Sequence, residues 1–218
     1  SLKSVELFKQ DGGKAAKIHT KNSHASPTPL LHDDAVYIHF GHQGTAALDL
    51  DLNVKWRKRF NYKPVHGNGG SPIIVDGKLI FSCDGASDPF IVALNVNDGS
   101  EVWKTLRKSD ATRKFSFTTA QAIEVNGATQ IISPGSNVVY SLDAATGKTI
   151  WQVRYDGYSL IPRPIFHNGL VYVCTGYNTP TLIAIRPDGT GDVTDTHVEW
   201  TVKSAVPHTA SLILDGEE

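Results

Sequence analysis

The sequence predicts an all-β fold, a β-propeller built from four-stranded antiparallel blades. Its 218 residues hold about four complete blades, with partial copies at both ends. Three observations predict it. Tryptophan returns at Trp56, Trp103, Trp151 and Trp200, at intervals of 47, 48 and 49 residues by subtraction. Short apolar runs rich in Val, Ile, Tyr and Phe recur in step, bounded by Gly, Asp or Asn, which is strand and turn chemistry. No window sustains an i, i+3, i+4, i+7 stripe with helix caps. Self-similarity at one period of this length marks a solenoid, an array or a propeller, and four short strands per period select the propeller.

Each copy opens on an entry strand with a Pro- or Ser/Thr-rich approach: Ser26-Pro27-Thr28-Pro29, Ser71-Pro72, Thr118-Thr119 and Pro162-Arg163-Pro164. A second strand follows as Val36 to Phe40, Leu79 to Cys83, Gln130 to Ser133 and Val171 to Cys174. The third ends on a turn phrase, and the fourth carries the tryptophan. In Leu142-Asp143-Ala144-Ala145-Thr146-Gly147-Lys148-Thr149-Ile150-Trp151, Gly147 supplies the left-handed position that turns the third strand into the fourth, and Gly99 does so one copy earlier. Trp56, Trp103, Trp151 and Trp200 read as wedges between neighbouring blades, each indole N–H meeting a backbone carbonyl. The blades are expected over residues 24–62, 66–107, 115–156 and 160–203 of a single incomplete domain, with partial copies at 1–20 and 205–218. Ser1 to Phe8 reads as the tail of a preceding blade, and a fifth copy begins at Pro207.

Composition narrows the partners. Lys+Arg is 21 against Asp+Glu 22, with no concentrated basic stretch, so neither nucleic acid nor an anionic membrane surface is indicated. No apolar run approaches a membrane span. Two cysteines, Cys83 and Cys174, are too few for a secreted disulfide scaffold. Two blades apart and facing differently, they read as buried, inert thiols rather than a disulfide.

The tryptophan phrases resemble the docking repeat of quinoprotein-type propellers, the pyrroloquinoline-quinone (PQQ)-binding-like family, and Leu142 to Trp151 matches its D-A-x-T-G-x-x-x-W pattern almost letter for letter. Residues 22–29, 66–72 and 189–197 are similar to secreted members in planctomycete-type bacteria, and BamB shares the architecture. The resemblance implies a seven- or eight-bladed ring and a periplasmic or secreted location. It also implies a partner that is a protein or an envelope component. Dehydrogenases of the family hold PQQ with Ca²⁺ and often stack a vicinal cysteine pair on it; no adjacent cysteines occur here. The expected function is a non-catalytic scaffold, without a cofactor, that binds a protein, envelope polymer or small ligand through loops on one face of the ring. The alternatives are a PQQ/Ca²⁺-dependent dehydrogenase with part of its site elsewhere, or a BamB-like assembly factor.

No catalytic residue or metal ligand set is assigned. Asp188 to Asp195 is acidic but out of register for an EF-hand, and reads as an elongated hairpin or an edge-decorating insertion. His24, His66, Asn68, Arg163 and His208 sit at or just before entry strands, whose feeding loops rim the channel on one face. They either hold an anionic or quinone-like ligand there, or satisfy backbone groups at turns. His32, His39, His42 and His167 read as surface residues.

Overall fold

A computed structural model of the chain describes residues 3–8, 18–177 and 179–216. Four antiparallel sheets follow one another along the sequence, each a simple meander. The first holds β1 (Leu30–His32), β2 (Ala35–His39), β3 (Thr45–Asp49) and β4 (Val54–Lys58). The second holds β5 (Ile73–Val75), β6 (Lys78–Cys83), β7 (Phe90–Asn95) and β8 (Glu101–Leu106). The third holds β9 (Gln121–Val125), β10 (Ala128–Gly135), β11 (Val138–Asp143) and β12 (Thr149–Arg154). The fourth holds β13 (Ile165–His167), β14 (Leu170–Cys174), β15 (Leu182–Ile185) and, after a detour through β16 (Gly191–Asp192), β17 (Val198–Val202). Among the described residues the one helical piece is a short 3-10 turn, Gly41–Gln43.

Alternation along each strand gives every sheet two apolar faces, and the sheets stack through them. Ala35, Tyr37, Ala47 and Trp56 of the first sheet pack on Leu79, Phe81, Cys83 and Val92 of the second. Ile73, Ile80, Ile91 and Trp103 on the opposite face of the second sheet pack on Ile131, Tyr140 and Leu142 of the third. Ile132, Val139 and Trp151 then meet Val171, Val173 and Ile183 of the fourth. Each fully buried side chain of this size contributes about 1.5–3 kcal/mol, so these three seams dominate the stability.

A tryptophan crosses each seam. The indole N–H of Trp56 donates to the Val96 carbonyl at 2.8 Å, that of Trp103 to Ala144 at 3.1 Å, and that of Trp151 to Pro187 at 3.0 Å. Val96 and Ala144 lie one residue, and Pro187 two residues, beyond the third strand of the next sheet. The turn phrase builds the receiving hairpin. The Asp143 carboxylate accepts the Thr146 amide at 2.8 Å and its hydroxyl at 2.6 Å. Those hydrogen bonds hold its carboxyl below the usual range. Gly147 turns at φ +71° and Gly99 at φ +70°. The indole from the preceding sheet rests on each glycine: a Cβ on Gly99 would lie 2.6 Å from the Trp56 ring, and one on Gly147 would lie 2.5 Å from the Trp103 ring. Glycine is thus required twice over, by backbone conformation and by space.

Trp200 departs from this pattern. It lies 41% exposed on the outer face of the fourth sheet, beside the Tyr172 ring at 5.8 Å. Leu212, Ile213 and Leu214 line a cleft of about 280 Å³ with it. The fifth copy expected from Pro207 forms no strand: residues 203–216 find no ladder partner among the described residues, and a strand needs one. The opening segment is likewise no strand over residues 3–8, and residues 1–2 lie outside the described residues. Instead the Phe8 ring covers Gly44, and Arg59 lies over that ring at 5.2 Å.

The acidic loop is an edge decoration. β16 leaves the fourth sheet and adds a parallel strand to the outer edge of β12, pairing Gly191 with Trp151 and Asp192 with Gln152. The Asp192 carboxylate accepts from Gln152 at 2.9 Å and Arg154 at 3.1 Å, and caps the Thr194 hydroxyl at 2.6 Å. These contacts, Thr194 first, lower its pKa to about 2. An otherwise open edge strand is covered in this way.

Candidate binding groove on the loop face

In a meander, the connection from the fourth strand of one sheet to the first of the next lies at the same end as the hairpin between second and third strands. All such loops therefore share one face. They carry a continuous series of aromatic rings: His19, His66, Phe115, Tyr158, Tyr177 and His208. The centroid steps along it are 5.2, 5.2, 5.7, 6.1 and 6.1 Å. His66, Phe115 and Tyr158 stand in inter-sheet loops, Tyr177 stands in the hairpin between β14 and β15, and His19 and His208 stand in the segments before β1 and after β17.

Backbone hydrogen bonds hold the rings in register. The His19 amide donates to the His66 carbonyl at 3.3 Å, Ser159 to Phe115 at 3.0 Å, and Tyr177 to Tyr158 at 3.0 Å. The Asn22 side-chain amide also donates to the His66 carbonyl, at 2.9 Å. His66 at φ +67° and Ser159 at φ +58° are non-glycine residues in left-handed conformations. Such strain persists where surroundings over-determine it, and it clusters at binding sites. Beneath the rings, the entry strands are linked by hydroxyls. The Thr28 amide donates to Ser71 Oγ at 2.9 Å, and the Ser71 amide to Thr119 Oγ1 at 2.9 Å.

A groove of about 580 Å³ runs along this series from His19 to Tyr177, and Lys21, Arg113 and Ile161 complete its walls. The Arg113 guanidinium lies 4.8 Å from the centre of the Tyr158 ring and donates to its hydroxyl. Tyr177 is 54% exposed and Ile161 39%. Such a surface combines rigid aromatic area with fixed positive charge, a composition typical of protein recognition sites.

The five residues singled out by sequence are not gathered at one point. His66 and His208 stand in the ring series. His24 and Asn68 belong to a neighbouring cluster on the same face, around Gly41. There the His24 and His42 rings lie 6.4 Å apart, and a Cβ on Gly41 would come within 2.7 Å of Asn68 Cβ. Asn68 Nδ2 is buried without a hydrogen-bond partner among the described residues. Arg163 is exposed and enters neither group. Phe115, Tyr158, Tyr177 and Arg113 escaped the sequence reading, because loop residues carry no period. Phe115 and Tyr158 had one available signal, an aromatic in the connection between copies.

His39 overturns its sequence assignment. It is 1% exposed rather than a surface residue, because it alternates with Ala35 and Tyr37 on the face that meets the second sheet. Its ring packs 4.2 Å from Phe81, Nδ1 lies 2.8 Å from Thr45 Oγ1, and burial lowers its pKa to about 3. It is therefore neutral at physiological pH. His167 is likewise half-buried, not surface, with Nε2 enclosed and unpartnered among the described residues.

A buried ion pair, unforeseen in the sequence, lies below the loops. Arg107 Nε donates to Asp84 Oδ1 at 3.1 Å, with side chains 0% and 1% exposed. The same guanidinium donates to the Ser133 carbonyl and hydroxyl, both at 2.8 Å, and so joins the second sheet to the third. Burial pushes the Asp84 carboxyl up, and Arg107 pulls it back.

Both cysteines are free and buried, at 0% and 1% exposure. Burial raises Cys83 well above the ordinary thiol range and Cys174 to about 11. Thiolate is the reactive form. Neither thiol is therefore expected to react with a disulfide reagent at pH 8 in the native chain, whereas both react in denaturant. Rapid native labelling of either would contradict the packing.

Four meander sheets stacked through tryptophan-crossed seams define a partial β-propeller of the PQQ-like repeat class. The chain belongs to the family described as outer membrane protein assembly factor BamB, whose model matches residues 87–217. It is 30% identical over 136 residues to a polyvinylalcohol dehydrogenase of Pseudomonas sp., an alignment covering 60% of this chain and 20% of that protein. Among solved structures, BamB from Moraxella catarrhalis superposes with a TM-score of 0.52 at 17% identity, covering 70% of this chain and 46% of its own. Quinohemoprotein alcohol dehydrogenase from Comamonas testosteroni superposes at 0.62 with 16% identity, covering 85% and 35%. The chain thus spans one fifth of the matched dehydrogenase and less than half of either solved structure. BamB and a quinohemoprotein alcohol dehydrogenase thus share the fold of this chain. Among the described residues, no helix is long and apolar enough to cross a membrane.

Proposed function

We propose that this chain is a non-catalytic scaffold whose loop face binds a protein or envelope component in the periplasm or outside the cell. The ring series carries the reading. Six rings from neighbouring loops of one face, three of their links tied by backbone hydrogen bonds, form a preorganised contact surface in which Phe115 is buried and the other rings reach solvent. Candidate contact residues are His66 and His208, with His24 and Asn68 in the adjoining cluster; Arg163 lies apart. BamB kinship supports a BamB-like part in outer-membrane protein assembly as one form of this scaffold.

The similarity to a polyvinylalcohol dehydrogenase favours a second reading, a PQQ/Ca²⁺-dependent oxidoreductase. A quinone–calcium pair wants hard oxygen ligands around the ion. The groove walls instead offer rings, amides and the cations Lys21 and Arg113, and the buried carboxylate of Asp84 is already held by Arg107. These residues do not fit the pair.

Two measurements test the scaffold. A photo-crosslinking amino acid in place of Tyr177 is expected to give discrete adducts in envelope extract of the source bacterium. The same group in place of Asp98, in a hairpin at the opposite end of the strands, is expected to give none. Equal adducts from both positions sink the loop-face reading. Reduction of an artificial electron acceptor by the whole protein with PQQ, Ca²⁺ and an alcohol sinks the non-catalytic one.

A further inference from the structure

We infer that the ring groove is the bed for an extended acidic peptide segment of the partner, a specificity that rests on the loop-face reading and narrows it. Spacing is the first argument. The rings succeed one another at 5.2 to 6.1 Å. An extended peptide rises about 3.3 Å per residue, so side chains on one of its faces recur every ~6.6 Å. Alternate residues of such a segment can therefore sit against successive rings.

Charge is the second. Lys21 and Arg113 line the groove, and among its described lining residues there is no Asp or Glu. This is a local feature, because the whole chain carries a net charge of −1. Arg113 is held against the Tyr158 ring, so its guanidinium is preorganised beside the rings rather than mobile. Carboxylates in the partner would meet these cations at the groove edge, where opposite charge selects partners and orients encounter. Exposed Tyr177 and Ile161 supply the apolar anchors.

The test is fluorescence polarisation with a labelled ten-residue peptide alternating Asp and Tyr, compared with Asn–Tyr and Lys–Tyr peptides of the same length. The Asp–Tyr peptide is expected to bind at least about tenfold more tightly than the Asn–Tyr peptide, with the Lys–Tyr peptide weakest. Arg113→Gln combined with Lys21→Gln should weaken the Asp–Tyr peptide about tenfold and leave the Asn–Tyr peptide unchanged. Tyr177→Ala should weaken both, and Arg57→Gln, on an exposed face of β4, neither. Thermal melting checks that each variant is folded. Equal binding of the Asp and Asn peptides, indifference to the double substitution, or no binding at millimolar peptide overturns the inference. If that happens while cross-links stay confined to Tyr177, the loop face still binds and only the acidic occupant is wrong. If the cross-links are also lost, both readings fall.

Discussion

Arg107→Met is expected to cost about 3–5 kcal/mol of folding stability, the usual consequence of removing one partner from a fully buried ion pair. The variant leaves the Asp84 carboxylate enclosed, with no counter-charge, and strips two hydrogen bonds from Ser133. Urea denaturation at pH 7 reads the loss as a lowered midpoint. The pH dependence identifies the cause. Burial raises the Asp84 pKa and Arg107 supplies the opposing pull, so removing Arg107 leaves that push unopposed. A carboxyl whose folded pKa lies above its unfolded value binds a proton on folding. The stability of the variant therefore falls as pH rises from roughly 4, the ordinary carboxyl value, through the raised one. The deficit should be largest at neutral pH and shrink on acidification. Arg107→Met with Asp84→Leu should recover most of it, because an apolar pair leaves no unpaired charge. A loss under about 1 kcal/mol for the single substitution would show the pair to be solvated after all.

Gly147→Ala is expected to destabilise by about 2–5 kcal/mol, of which roughly 1–2 comes from the left-handed backbone and roughly 1–3 from overpacking. The methyl would lie 2.5 Å from the Trp103 ring, on a hairpin already fixed by Asp143 and Thr146. Gly127→Ala provides the comparison. Gly127 turns at φ +78° with nothing within 4 Å of the added carbon, so it loses only the backbone part. The difference between the two urea midpoints measures the indole contact. In a Trp103→Ala background the gap between the two glycine substitutions should narrow to what the Thr105 hydroxyl, 2.9 Å from the added carbon, still contributes, since neighbouring sites that share a contact are not additive. Identical costs with Trp103 present would mean that the indole does not rest on the turn.

The two predictions differ in how far sequence leads to them. The turn phrase, Gly147 and the tryptophan were legible because they repeat, and because φ > 0 positions and period-2 alternation are properties of a few adjacent residues. What the repeat did not disclose is that the glycine of one copy serves the tryptophan of the copy before. Asp84 and Arg107 look in sequence like ordinary polar residues at strand ends. Only the convergence of the second and third sheets removes them from water.

His39 shows the same division. Its strand was evident, but which face of that strand was covered depended on where the second sheet lay. Residues 207–216 resemble an entry strand yet form none among the described residues, because a strand is completed by a neighbour's ladder and not by composition.

Sequence by itself determined the strands, the turns, the period and hence the propeller, since each rests on local backbone preference or on residues a fixed interval apart. Tertiary structure alone decided the ring groove, the buried ion pair and the β16 strap. These unite loops or strand ends that carry no repeat; Phe115 and Tyr158 meet only because blades splayed about one axis bring their connections to the same face.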